Sequence, residues 1–408
     1  MRVLFIPLSV PTHYFHQVQT AWAFRAAGHE VRVAGEAPVL DAVARSGMIA
    51  VPAGGGFDSV AANARGVRLG ALPAAEAARR NEARLDEFAS AAAALAADLV
   101  AFAEAWRPDL VVADPLASMA PVVAGRLDVP LLRHLFGPDL TRHLGYPGSG
   151  APVDGDPRAG WPPRLLEIYD RYGVEPRADF ALRHLDPCPE SVQVPGMPNR
   201  LPIRYVPYNG PGVAPDWLRS PADRPRVCVT WGTTTTTLHG EDGFLVPSVL
   251  RALASLDVEV VAALSAADRR LLRDVPDGVR VVEQVPLHLF LGTCDAIVHQ
   301  GGAGAMLTAA ALGVPQAIAP QHPDQVLNAD RLAATGAGTV LPAAGLTAGP
   351  AAVENVRAAV AALLSGEAAR TAAAGLRAEI RAQPTPAAAV RSIEELIRPE
   401  TARTPAPA

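Results

Sequence analysis

The densest run of chemistry-bearing residues is His299-Gln300-Gly301-Gly302-Ala303-Gly304, between a strand-like segment (296–299) and a helical one (303–312). Glycines at a strand-to-helix turn let backbone N–H groups approach an anion closely, and the helix N-terminus adds about half a positive charge. With His299 at the mouth of that turn, the segment makes a seat for a diphosphate without lysine or metal. The same residues also suit a βα turn that needs glycine for its backbone, with His299 a hydrogen-bonded core residue. Further on, Pro320-Gln-His-Pro-Asp-Gln325, then Asn328, puts a carboxylate beside an amide at the end of the strand 316–319. Asp324 and Gln325 could bind sugar hydroxyls, or Asp324 could cap helix 325–335. Val285-Pro286-Leu287 follows a strand and offers backbone N–H and C=O groups to a pyrimidine edge. Thr230-Trp231-Gly232-Thr233 ends another strand with hydroxyls that could reach a phosphate.

The elements that must position these residues alternate in type. In the first half, strands read at 3–8, 31–34, 110–113 and 130–133, with helices at 15–27, 38–46, 73–106 and 116–126. In the second half, strands read at 226–231, 258–264, 279–283, 296–299 and 316–319. Helices there read near 244–256, 303–312, 325–335 and 352–364. Such alternation marks βαβ units and parallel sheets. The pattern predicts an α/β protein with two tandem Rossmann-like domains whose strand ends face a common cleft. The expected divisions are an N-terminal domain over 1–207, a linker over 208–225 and a C-terminal domain over 226–383. A helix over 384–398 is expected to return to the first domain, ahead of a flexible tail over 399–408. The Pro/Gly-dense stretch 145–163 reads as a mobile surface loop.

Composition removes several chemistries. The chain has 408 residues, half of them apolar, which is ample for two cores. It contains no lysine, all 36 basic residues being arginine, so a Walker-type phosphate loop and any Schiff base are excluded. A net charge of −5 gives no electrostatic reason to bind nucleic acid or an anionic membrane. Three scattered cysteines indicate neither a disulfide framework nor a zinc site. The apolar runs near 89–106 and 303–320 are broken by Asp98 and Glu104, or by Gly313 and Pro315, and are not expected to cross a bilayer. A soluble, cytoplasmic protein is expected.

The chain resembles the GT-B glycosyltransferases of family 1, specifically the actinomycete enzymes that glycosylate antibiotics. The resemblance rests on THYFHQVQTAWAFRAAGHEV (12–31), RPDLVVADPLA (107–117), VPLLRHLFGPDL (129–140), VCVTWGT (227–233), VPLHLFL (285–291) and HQGGAGAMLTAAALGVPQAIAPQHPDQVLNADRL (299–332). It implies an inverting transferase that moves a deoxysugar from a nucleotide diphosphate, dTDP- or UDP-linked, to a natural-product aglycone. It implies no metal and no resident cofactor. His13 matches the general base, and Asp114 the acid that orients it. His299, Gly301, Gly302, Ala303, Gly304, Gly232 and Thr233 would hold the diphosphate, Val285 the base, and Asp324 and Gln325 the sugar. His16, His134 and Phe136 fall at the implied acceptor pocket, on the same segment as Gly137-Pro138-Asp139. A homodimer or an auxiliary protein is compatible with this reading.

Two departures from the family pattern stand out. Gln300 and Ala305 replace a His and a Thr, and the lost hydroxyl removes a phosphate hydrogen bond worth about 1 kcal/mol. His16 stands where Pro or Gly is usual. Other readings compete. Asp154-Gly-Asp156 fits a metal-binding DxD pattern but lies in a turn-rich loop. His13 and His16 have metal-like spacing without further ligands. A nicotinamide site would want G-x-G-x-x-G after the first strand, where Ser9-Val-Pro-Thr-His13 stands. A GT-B sugar-nucleotide epimerase and a non-catalytic helper protein are the alternatives in function.

Overall fold

The computed structural model describes residues 1–58, 74–152, 155–233, 235–236, 240–342, 346 and 349–397. Asp154 and the tail 399–408 therefore lie outside the described residues. The N-terminal domain runs β1 (Arg2–Ile6), α1 (Pro11–Ala26), β2 (Glu30–Gly35), α2 (Ala37–Arg45), β3 (Ile49–Pro52), α3 (Ala74–Trp106) and β4 (Leu110–Ala113). It continues with α4 (Ala120–Leu127), β5 (Leu131–His134), α5 (Leu140–His143), α6 (Pro163–Tyr172), β6 (Arg183–Asp186) and β7 (Arg200–Pro202). The C-terminal domain runs β8 (Arg226–Thr230), α7 (Val246–Leu253), β9 (Glu259–Leu264), α8 (Ala266–Leu271), β10 (Val279–Glu283) and β11 (Ala296–His299). Then come α9 (Ala303–Leu312), β12 (Gln316–Ile318), α10 (Pro323–Ala333), β13 (Gly338–Val340), α11 (Gly349–Ser365), α12 (Glu367–Ala382) and α13 (Pro386–Ile397).

Both sheets are wholly parallel, ordered β3-β2-β1-β4-β5-β6-β7 and β10-β9-β8-β11-β12-β13. Continuous apolar strands such as Leu110–Ala113, buried at every position, are what a sheet covered on both faces requires. In each sheet the order reverses beside the first strand of its domain. β1 pairs with β4 in register Ile6 to Ala113, and β8 with β11 in register Thr230 to His299. Loops leaving adjacent strands at such a switch point diverge to opposite faces and open a crevice. Four strand ends at two facing crevices place the site.

Several local expectations shift. α1 begins at Pro11 rather than at 15, because proline at its first turn presets the helical φ. That puts His13 on the helix instead of in a loop. α4 begins at 120 rather than 116, since Asp114 holds a turn in which its carboxylate accepts from the Leu116 amide. β3, β6, β7 and β13 were not legible. β6 reads Arg-His-Leu-Asp, yet it is buried because Asp186 pairs with Arg200 at 2.6 Å. The 145–163 stretch is no free loop: Tyr146, Ser149 and Trp161 are buried, and Ser149 bridges to Asp179. Within α3, Asn81–Trp106 is long and apolar enough to span a membrane despite Asp98 and Glu104. Its Ala89, Ala96, Leu99 and Ala103 instead pack into the core above the sheet.

The end of the chain ties the two domains together. After α12 packs against α9, the chain returns: Gln383 donates to the Cys188 carbonyl and the Arg204 amide to the Pro384 carbonyl. α13 then lies on α1, burying Val390 and Ile393 in the core that includes Val3 and Phe24. All three cysteines are free and buried.

Candidate active site

A cleft of about 430 Å³ lies between the domains, lined from one side by His13, His16, Phe136 and Tyr205. From the other side it is lined by Thr230, Gly232, Thr233, Val285, the Gly302–Ala305 turn and Asp324. On the N-terminal wall, His13 Nδ1 donates to Asp114 Oδ2 at 2.8 Å. Asp114 is buried and oriented by the Leu116 amide on its other oxygen. Fixing the proton on Nδ1 leaves Nε2 with a lone pair, the arrangement a general base requires. Burial pulls the His13 pKa down, but the charge and hydrogen bond of Asp114, with Asp324 across the cleft, more than offset it. The net shift is upward. The ring also rests on Phe136, with centroids 4.4 Å apart.

On the C-terminal wall, Gly302 is the residue before α9, and no side chain caps that helix. The first amides of α9, like those of any helix, are without intrahelical acceptors, and the residues Gly302–Ala305 that carry them line the cleft. Gly301 has φ +100°, and a β-carbon there would come within 2.9 Å of Ile318 Cγ2 and 3.2 Å of the Gln325 carbonyl. The glycine is thus required by close approach as well as by backbone sign. Gly232, φ +72°, is pressed against the Gln300 amide in the same way.

Three expected contacts point elsewhere. His299 is fully buried beneath the turn, accepting from the Gly301 amide through Nδ1 and donating to Gln316 through Nε2. Burial holds it neutral, its pKa down to about 4 despite the Gln316 bond. The Gln316 amide continues to the Met306 carbonyl, so His299 ties strand to helix and does not line the cleft. Gln325 accepts from the amides of Gln321 and His322 and donates to Thr235; it completes a capping box with His322, and its side chain lies under the loop. His134 is buried behind the wall between Thr20 and the Leu135 carbonyl, its pKa pushed down to about 4, chiefly by burial.

Asp324, by contrast, lines the cleft, and the cap of α10 is His322 rather than Asp324. Burial raises its pKa, opposed by Arg84 of α3, by the Asp324 amide, by His13 and by the Gln325 amide. His16 sits on the wall with Nε2 3.7 Å from where a β-carbon of Gly304 would stand. Sequence reasoning missed Tyr205, Arg84 and Asn209. Tyr205 and Asn209 both bond Thr308 on α9, and Asn209 exchanges two bonds with His288. Asn209 lies at the start of the stretch 208–225 expected as a linker, and Tyr205 lies just before it. Both residues bind elements of the C-terminal domain, Thr308 and His288.

Two family models match the chain in order: the N-terminal domain of erythromycin biosynthesis protein CIII-like proteins over residues 22–232, and the C-terminal domain over 247–396. The chain is 38% identical to an aklavinone 7-beta-L-rhodosaminyltransferase of Streptomyces galilaeus, over 99% of this chain and 98% of that protein. It is 37% identical to a 10-deoxymethynolide desosaminyltransferase of Streptomyces venezuelae, over 97% of each. The solved structure of a spinosyn rhamnosyltransferase, SpnG, complexed with thymidine diphosphate superposes with a TM-score of 0.79 at 32% identity, covering 97% of this chain and 100% of that one. Matched in both halves and along its length, and carrying two facing parallel sheets, the chain belongs to the EryCIII-like family of GT-B natural-product glycosyltransferases.

Proposed function

We propose that this enzyme moves a deoxysugar from a dTDP donor to a hydroxyl of a natural-product aglycone with inversion at the anomeric carbon. One observation carries the reading: an Asp114-oriented His13 and an uncapped glycine turn face each other across a single cleft. In this mechanism His13 Nε2 takes the acceptor hydroxyl proton as the oxygen attacks the anomeric carbon. The bond from that carbon to the diphosphate breaks on the opposite face, and its electron pair leaves with the diphosphate. The amides of Ala303 and Gly304 receive the developing charge, a task for which oriented N–H groups need no reorganisation. Asp324 binds a sugar hydroxyl, and the Val285 backbone reads the base. The helix terminus does the work a metal does elsewhere. The thymidine diphosphate bound by SpnG and the sugars named for the two relatives support a dTDP-deoxysugar donor.

The test is mass spectrometry of the purified protein with a panel of dTDP- and UDP-sugars against polyketide and macrolide aglycones. A glycosylated product, with nucleoside diphosphate released only when acceptor is present, is expected. Isomerisation of the donor sugar without acceptor, with no net release of diphosphate, would replace transfer by epimerisation.

A further inference from the structure

The proposed transfer uses one imidazole of the cleft and leaves a second without a task. His16 follows His13 by one helical turn on α1, and its Nε2 faces the glycine turn of the other domain, 3.7 Å from the β-carbon position of Gly304. Its ring stands between Phe136 and Tyr205, with centroids 6.2 and 5.8 Å away. Tyr205 in turn bonds Thr308 of α9 at 3.2 Å, which fixes the ring's surroundings relative to the start of that helix.

The hydrogens decide what this ring can do. Nδ1 is buried with no hydrogen-bond partner among the described residues. A stranded N–H is rarer in proteins than a stranded lone pair, so the proton belongs on Nε2. Burial, and after it the neighbouring His13 and His134, lowers the pKa to about 3 and keeps the ring uncharged. A neutral donor thus points at a turn made of donors, the uncapped amides at the start of α9. Donors brought to one turn from two domains suit an acceptor-rich anion.

Resting on the diphosphate seat proposed above, we propose that His16 is a further donor-binding residue: a neutral N–H that the N-terminal domain lends across the cleft to the leaving diphosphate. Ala305, which also lines the cleft, has no hydroxyl to offer there. Because His16 stays uncharged, the imidazolium forming on His13 acquires no cationic neighbour.

Calorimetric titration of the full-length protein with thymidine diphosphate and with thymidine tests this, in wild type, His16→Ala and His16→Gln. His16→Ala is expected to weaken thymidine diphosphate about tenfold, or about 1.4 kcal/mol, while thymidine stays within about twofold. His16→Gln keeps an N–H and is expected to recover most of the loss. Unchanged diphosphate affinity in His16→Ala overturns the proposal. So does an equal loss for both ligands, which marks a repacked α1. Wild-type protein that binds thymidine diphosphate no better than thymidine would instead refute the diphosphate seat itself.

Discussion

His13 Nδ1 lies 2.8 Å from Asp114 Oδ2, although 101 residues separate them in sequence. The two follow β1 and β4, adjacent strands at the switch point of the first sheet, and the buried carboxylate fixes the tautomer of the imidazole.

That pairing sets the pH profile. Because the His13 pKa is raised, the base is protonated and idle below its midpoint, so kcat/KM should rise with pH through a value above 6.5 and then level. In Asp114→Asn, only the smaller pull of Asp324 opposes burial: the midpoint should move down while the plateau falls. His13→Ala should lose about 10²–10⁴-fold in turnover and still bind thymidine diphosphate. Wild-type turnover in that variant removes His13 from the base role.

The two glycines of the turn should separate folding from binding. Gly301→Ala forces a β-carbon into Ile318 and the Gln325 carbonyl at φ +100° and should cost at least about 2 kcal/mol in urea denaturation. Gly304 has helical backbone with only His16 Nε2 within 4 Å of its added carbon. Gly304→Ala should fold as wild type yet raise the donor KM severalfold, because its methyl enters the seat.

Neighbouring residues of α10 should split in the same way. Gln325→Ala removes the reciprocal half of a capping box and should lower stability by about 1 kcal/mol. Asp324→Ala should leave the denaturation midpoint nearly unchanged and raise the donor KM by about tenfold, the scale of one hydrogen bond to a charged group. A larger stability loss for Asp324→Ala than for Gln325→Ala would reverse the two roles.

The return of the chain to the first domain is energetic rather than incidental. Ile393 is fully buried among residues of β1 and α1. Ile393→Ala should cost about 2–5 kcal/mol, seen as earlier loss of the N-terminal domain in thermal unfolding followed by limited proteolysis. An unaltered midpoint would mean that α13 is dispensable.

What the sequence by itself determined is local. Apolar strands, glycine at a strand-to-helix turn, and the absence of lysine are written in consecutive residues, and β4, β10, β11 and α9 were legible to the residue. The family resemblance added His13 and Asp114, which no spacing rule joins. Only the tertiary structure decided which way side chains point at the strand ends. His299 and Gln325 have the same local context as binding residues, but each finds its partners beneath the loop, in Gln316 and in the amides of Gln321 and His322. His16, placed by the resemblance in an acceptor pocket, faces the turn of the other domain because the domains are held together by α13, the Tyr205–Thr308 bond and other contacts. A turn is fixed by its own backbone dihedrals, whereas the face a buried polar group presents depends on distant partners that satisfy it more cheaply than water can.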